Sequence, residues 1–333
     1  MKASEVQAEV EKLEPAAQQA YLDQIAMVAK SVSVTEIEQA IEDGDESRLE
    51  EIIALGLLAL FLDRLRSAFA SGAARELAGI RMPGVRRELD MSAESVNAFL
   101  SSQARDIREQ AARDQMDAAR IAITQGRLRG DSSRTIALNM VGRRSKQTGR
   151  RSGGVLGLTG NATEAVERAR DQLSSGDPGQ LREYLTRKRR DPRFDSVVSA
   201  AIDAGKPLPK ETLERAASAY AQRLRDLHAE ALAQTNIAEA YNKGREEGWK
   251  QLTARSGGQY TYVKKWRTRM DGRERRTHGA LNGQTTEAGQ AFTSPSGAML
   301  MFPCDTSLGA PLSERIRCRC VAEYSLKKVT LVV

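Results

Sequence analysis

All three cysteines of the chain, Cys304, Cys318 and Cys320, lie in its last third together with His278, one of only two histidines. Thiolate sulfur and imidazole nitrogen are the donors that hold zinc in closed tetrahedral sites. Cys318 and Cys320 stand two apart, so on a strand they share a face. Cys304 follows the Phe302-Pro303 step, and His278 falls in the loop after a strand that runs through Trp266. These positions predict a Cys3His structural zinc set of His278, Cys304, Cys318 and Cys320. A CxC is not the usual CxxC knuckle, however. The same residues also suit reduced, buried thiols or a disulfide from Cys304 to either neighbour.

Catalysis is not expected from these residues. Asp271, His278, Asp305 and Cys318 accompany no nucleophile elbow, phosphate-cradling glycine loop or HExxH helix. A zinc nuclease or deaminase would need a glutamate or histidine beside the ligands, and two histidines are too few for most such sites. The chain is read as a non-enzyme.

The elements that would position the cluster follow from periodicity. Aromatic residues make up 5% of the 333 residues and charged residues 29%. Alanine-rich segments of helical period fill the first two-thirds. The fold class expected is α+β, with long helices in the N-terminal two-thirds and a small, loop-rich, β-containing C-terminal domain. Helices are predicted over about Ser47–Ala70, Ser92–Leu128 with Ser92 as N-cap, and Glu211 to Trp249 with a break near Gln234-Thr235-Asn236. Asn161 and Glu164 read as a capping box, and Asp191-Pro192 as a helix boundary with Arg-Asp pairing around it. Strands are predicted over Gln259–Thr268, Ala298–Phe302 and Arg319–Tyr324. The expected division is a helical region 1–142, a basic linker 143–156, a helical middle region 157–256 and the C-terminal domain 257–333. His228 reads as a solvated surface residue.

The net charge of +7 suits a polyanionic neighbour, because clustered cations release counterions from phosphates. Two clusters could supply it. One is Arg143, Arg144, Lys146, Arg150 and Arg151; the other is Lys264, Lys265, Arg267, Arg269, Arg273, Arg275 and Arg276. The first has no interleaved aromatics to stack single-stranded bases, and the contact expected of both is to phosphates of double-stranded DNA, without sequence preference. A solvated linker is an equally good reading of 143–156. No leader peptide is read at the N-terminus, which implies synthesis in a cytoplasm. The longest apolar run, Ile52 to Leu62, falls short of the ~20 residues a membrane span needs, so no membrane partner is expected.

Taken in order, the aromatic-basic strand ending in Trp266, Asp271-Gly272-Arg273, Thr277-His278, Leu281-Asn282-Gly283, Phe302-Pro303 and Cys318-Arg319-Cys320 resemble the C-terminal domain of phage Mu F-like head morphogenesis proteins. These are the minor head proteins of tailed bacteriophages. The resemblance covers about residues 211–324. Asn236 stands where the family usually has an acidic residue. The resemblance implies a structural virion component in the capsid interior near the portal, with the portal or major capsid protein as partner and packaged DNA alongside. It would act in head assembly or genome delivery. The apolar face around Leu57, Leu60 and Phe61 is the expected docking surface, and the C-terminal domain is expected to fold without residues 1–80. The alternative is a basic, sequence-nonspecific nucleic-acid-binding protein with a zinc-stabilised C-terminal module.

Overall fold

The computed structural model describes every residue except 55–57, 145–148, 150 and 330–333. Twelve described helices run in chain order: α1 Ala3–Ser31, α2 Val34–Asp43, α3 Glu46–Ile53, α4 Ala59–Ala78, α5 Glu94–Leu128, α6 Ser133–Val141, α7 Gly160–Ser174, α8 Pro178–Thr186, α9 Asp195–Ala204, α10 Lys210–Ala254, α11 Arg276–Leu281 and α12 Leu312–Arg315. The strands are β1 Arg143–Arg144, β2 Arg151–Ser152, β3 Tyr260–Arg267, β4 Thr285–Glu287, β5 Phe292–Thr293, β6 Met299–Leu300 and β7 Val321–Lys328. The α+β class is as expected. No described helix is long and apolar enough to cross a membrane.

The chain divides into two compact units, and neither follows serial boundaries at 142, 156 and 256. One unit combines Met1–Ala20, Ala59–Ala104 and Glu230–Val333; the other combines Tyr21–Leu58 and Arg105–Ala229. The C-terminal strands therefore share a unit with α4 and the start of α1.

In the first unit, the second half of α10 turns charged residues inward. Glu239, Asn242, Arg245, Glu246 and Trp249 recur at helical spacing and all are buried. Burying a charge is tolerable only with a partner, and each finds one. Arg245 Nε donates to Glu76 Oε2 of α4 at 2.9 Å, and Trp249 Nε1 donates to Glu76 Oε1 at 3.3 Å. Glu246 accepts the hydroxyls of Tyr262 and Tyr324, each at 2.9 Å. Two glycines let α4 and α10 touch backbone to backbone. A Cβ on Gly244 would stand 2.0 Å from the Phe69 carbonyl oxygen, and one on Gly72 would stand 2.3 Å from that of Tyr241.

Against this face lies an antiparallel sheet of order β4-β3-β7, in which Trp266 pairs with Ala322. The inward face of β3 carries Tyr262, Lys264 and Trp266. The beginning of α1 fastens to the same sheet: Ala3 N donates to Glu323 Oε1 at 3.1 Å and Gln7 Nε2 to the Arg319 carbonyl at 3.2 Å.

In the second unit, α2 is closed by Ser33 as N-cap and by Gly44 in the left-handed conformation. Arg129 bridges Asp131, Glu167 and Asp171 at 3.1, 2.6 and 3.0 Å. The expected pairings around Asp191 are present: Arg193 binds Asp191 and Arg190 binds Asp195.

Several local expectations change. The helix predicted over Ser47–Ala70 is two helices, with Leu58 at φ 48° between them. Phe61 is fully buried while Leu60 is 47% exposed, and Leu57 lies outside the described residues. Of the docking face built on these three, Phe61 is therefore unavailable and Leu60 is exposed. α5 starts two residues after Ser92, whose hydroxyl donates to Asp90 instead of capping the helix. Thr159, not Asn161, caps α7. α10 continues unbroken through Thr235 and Asn236, whose side chains bond back to the Ala231 and Leu232 carbonyls one turn earlier.

The segment 153–158 is buried rather than a solvated linker. Arg225, buried, donates to the carbonyls of Gly153, Gly154 and Leu156. Burial lowers its pKa to about 10. His228 is half-buried edge-on to Tyr21, and burial lowers its pKa to about 4, so it stays neutral at physiological pH. Sequence cannot see which face of an amphipathic segment another element covers.

Two predictions follow from this frame. Gly72→Ala and Gly244→Ala should each destabilise the protein by about 2–4 kcal/mol, because backbone cannot yield as a side chain does. Urea unfolding checks this, and wild-type midpoints for both would contradict it. Glu239, whose carboxyl is raised to about 7 by burial despite hydrogen bonds from Thr306 and Gln103, sets the second. Its folded pKa exceeds the unfolded one, so its contribution is full below about pH 4.5 and is lost as pH rises through about 7. Glu239→Gln should remove a pH-dependent loss on the order of 3 kcal/mol between those limits. Melting curves of wild type and variant from pH 5 to 8 should converge at the acid end and separate at the alkaline end.

Candidate metal centre

His278 sits in α11, a six-residue helix that needs outside support. Thr268, just past the end of β3, supplies it: its hydroxyl donates to the His278 carbonyl at 2.5 Å and accepts from Trp266 Nε1 at 3.1 Å. Gly283, at φ 91°, returns the chain so that its N–H donates to the Trp266 carbonyl at 2.8 Å. The Trp266 ring then stands edge-on to the imidazole, with centroids 5.5 Å apart.

Cys318 and Cys320 approach from the run into β7. Arg317, at φ 51°, directs this turn, its N–H held by Thr235 Oγ1 at 3.0 Å. Arg319 between them points outward and clasps Asp271 with both terminal nitrogens, Nη1 to Oδ2 at 2.5 Å and Nη2 to Oδ1 at 2.8 Å. That clasp holds the Asp271 carboxyl below its usual range. It also ties the loop after β3 to the CxC, so Asp271, Arg319 and His278 belong to one construction.

His278 Nδ1 lies 3.5 Å from Cys318 Sγ and 3.4 Å from Cys320 Sγ. The three donor atoms are within 4.8 Å of one another, and all three residues are buried. Together they could hold a metal ion. Cys304, at φ 72° after Pro303, is also buried, with Sγ 3.6 Å from the Cys318 carbonyl oxygen and 3.8 Å from that of Arg315. It stands beside Cys318 but is not in the three-residue group. The Cys318 thiol is pushed well above its ordinary pKa, first by Cys304 next to it and also by burial; the Cys320 thiol is raised by Cys318 and by burial. Crowded thiols of this kind resist ionising until a cation supplies the opposing charge.

The far side of the imidazole faces Glu314, a residue that sequence reasoning missed. Nε2 is 2.9 Å from Glu314 Oε2, off the line of a straight N–H bond. Glu314 also accepts from Ser296 Oγ at 2.7 Å and Thr277 Oγ1 at 3.1 Å. Burial raises its carboxyl, but Ser296, His278 and Thr277 outweigh burial and hold it below the usual range. A carboxylate behind a histidine favours the proton on Nε2 and turns the Nδ1 lone pair toward the sulfurs. The only sequence hint of Glu314 was an acid four residues before Cys318.

The residues expected at a nucleic-acid surface are not all available to one. Lys264 is fully buried, its Nζ donating to the Met301 carbonyl at 2.6 Å and lying 3.4 Å from Glu246. It shares the inward face of β3 with Trp266, which the count of cations could not reveal. Arg267 pairs with Glu323, Arg269 with Glu11 and Asp271, and Arg275 donates to the Ile316 carbonyl. Arg143 pairs with Glu214, and Arg151 donates to the Gly142 carbonyl. Lys146 and Arg150 lie outside the described residues. Arg144, Arg273 and Arg276 are exposed, and Lys265 is half-buried.

Protein purified without chelator should carry about one metal ion per chain. Cys318→Ser, Cys320→Ser or His278→Ala should abolish binding, and Glu314→Gln should weaken it by about 10–100-fold. Elemental analysis and competition with a chromogenic chelator measure both; a metal-free wild-type protein with an unchanged melting curve would refute the site. Comparison with protein-family models, curated proteins and solved structures finds no match to this chain.

Proposed function

We propose that this chain is a minor head protein of a tailed bacteriophage, a structural virion component of the Mu F-like kind, whose C-terminal module is stapled by a structural zinc ion. One observation carries the reading. The residues on which the resemblance rests, Trp266, Asp271, Thr277, His278, Gly283, Cys318, Arg319 and Cys320, gather around a single buried centre. Arg273, the remaining one, is exposed at the turn beside it. Scattered coincidences of sequence would have no reason to do so.

Zinc fits the donor set better than harder cations, because thiolate and imidazole are its preferred ligands. A tetrahedral ion about 2.3 Å from sulfur and about 2.0 Å from nitrogen separates those ligands by about 3.5 Å. The two sulfur-to-Nδ1 distances agree. His278, Cys318 and Cys320 would hold the ion, with Cys304 beside Cys318 as the fourth ligand. Zinc would supply crosslinking, and Glu314 would keep the imidazole oriented. A buried, thiolate-rich set suits a structural role rather than catalysis, which supports a non-enzyme.

On this reading the protein resides in the capsid interior near the portal, contacts the portal or major capsid protein, and lies next to packaged double-stranded DNA. Arg144, Lys265, Arg273 and Arg276 remain to face phosphate, so its own DNA affinity should be weak and salt-sensitive. Mass spectrometry of procapsids and virions from an inducible host should find the protein in both, and His278→Ala should reduce its incorporation. Absence of the wild-type protein from both kinds of particle would overturn the virion reading, whatever the zinc content.

A further inference from the structure

The connection between α4 and α5, residues 79–93, is a long segment without helix or strand. Such loops inside compact units are uncommon and usually functional. This one is pinned to the end of α10. Arg255 Nη1 donates to the carbonyls of Arg86 and Glu88 at 3.2 and 2.6 Å, and Gln251 exchanges hydrogen bonds with the Asp90 backbone at 2.7 and 3.1 Å. Between the pinned loop and α4 runs a groove of about 780 Å³. A second hollow of about 510 Å³ continues it, sharing Val85, Arg86 and Arg87.

Ala70, Ala74, Leu77 and Ala78 of α4 form the floor, and Val85, Leu89 and Met91 form the apolar wall. The rim is basic. Arg81 and Arg87 are exposed and form no ion pair among the described residues; Arg87 donates to the Ile80 carbonyl. Arg86 has a single exposed partner, Glu88 at 3.4 Å.

We propose that this groove is a docking site for an acidic amphipathic helix of a partner protein. The floor follows a helix axis at spacings of four, three and one residues, so a second helix laid along it meets ridges it can interdigitate with. Alanines permit close approach of the two axes. An apolar stripe on the incoming helix covers Ala74, Ala78, Val85 and Leu89, and acidic residues beside that stripe meet Arg81 and Arg87. Duplex DNA fits less well, because an apolar floor gains nothing from phosphate. The inference stands on the groove and does not require the virion reading.

The test uses the full chain and a fluorescent synthetic helix of about 18 residues (five turns), with leucines along one stripe and glutamates beside it. Saturable binding is expected at micromolar peptide. Ala74→Arg, which fills the floor, and Leu89→Asp should each weaken it at least tenfold while circular dichroism stays that of wild type. Arg87→Glu should weaken it several-fold, and replacing the peptide's glutamates by lysine should abolish binding. Equal affinity of wild type and Ala74→Arg, no saturable binding, displacement of the peptide by duplex DNA, or self-association of the chain that Ala74→Arg abolishes would each overturn the proposal. None of these outcomes bears on whether the protein is found in phage heads.

Discussion

The first unit depends on the charged residues that α10 buries. A buried arginine or glutamate is tolerated only where partners replace water, and removing one partner of such a pair costs about 3–5 kcal/mol. Glu76 supplies that partner for Arg245, and it reaches α10 because Gly72 and Gly244 bring the two helices into backbone contact. Glu246, the residue next to Arg245, holds both Tyr262 and Tyr324, which fixes the pairing of β3 with β7 against the helix. A centre made from residues just beyond one end of that strand pair, where Arg267 pairs with Val321, can be accurate only because the pair is fastened in this way.

The same accounting separates the polar contacts that shape the molecule from those that decorate it. Exposed pairs such as Arg113 with Glu109 contribute about 0–1 kcal/mol at most. Lys264 and Arg225, by contrast, are cations that the fold has taken out of solution and assigned to carbonyl oxygens. Arg269 and Arg319 join loops to one another. The surplus positive charge of the chain is therefore not a measure of the field offered to DNA, since part of it is used to hold the C-terminal strands and the segment 153–158 in place.

The start of α1, the whole of α4 and the start of α5 belong to the same unit as the C-terminal strands. Ala3 and Gln7 bond to Glu323 and Arg319 across almost the entire length of the sequence. Such pairings give the candidate metal centre a wall from the N-terminus: Val10, Glu11 and Glu14 line a small hollow with Cys318 and Cys320. The C-terminal residues are thus a module in sequence pattern and only part of a unit in packing.

What sequence alone determined was local. Periodicity marked α5, most of α10 and the strand through Trp266, and donor chemistry marked His278, Cys304, Cys318 and Cys320, three of which the fold groups, because helix period and ligand preference are properties of nearby residues or of residue type. What only tertiary structure decided was burial and partnership: Phe61 and Lys264 inward, His228 against Tyr21, the segment 153–158 enclosed, and Glu314 behind His278. Each depends on which distant element arrives at a given face. The free energy that selects the partner is desolvation, and it is felt only once the chain has closed around the residue.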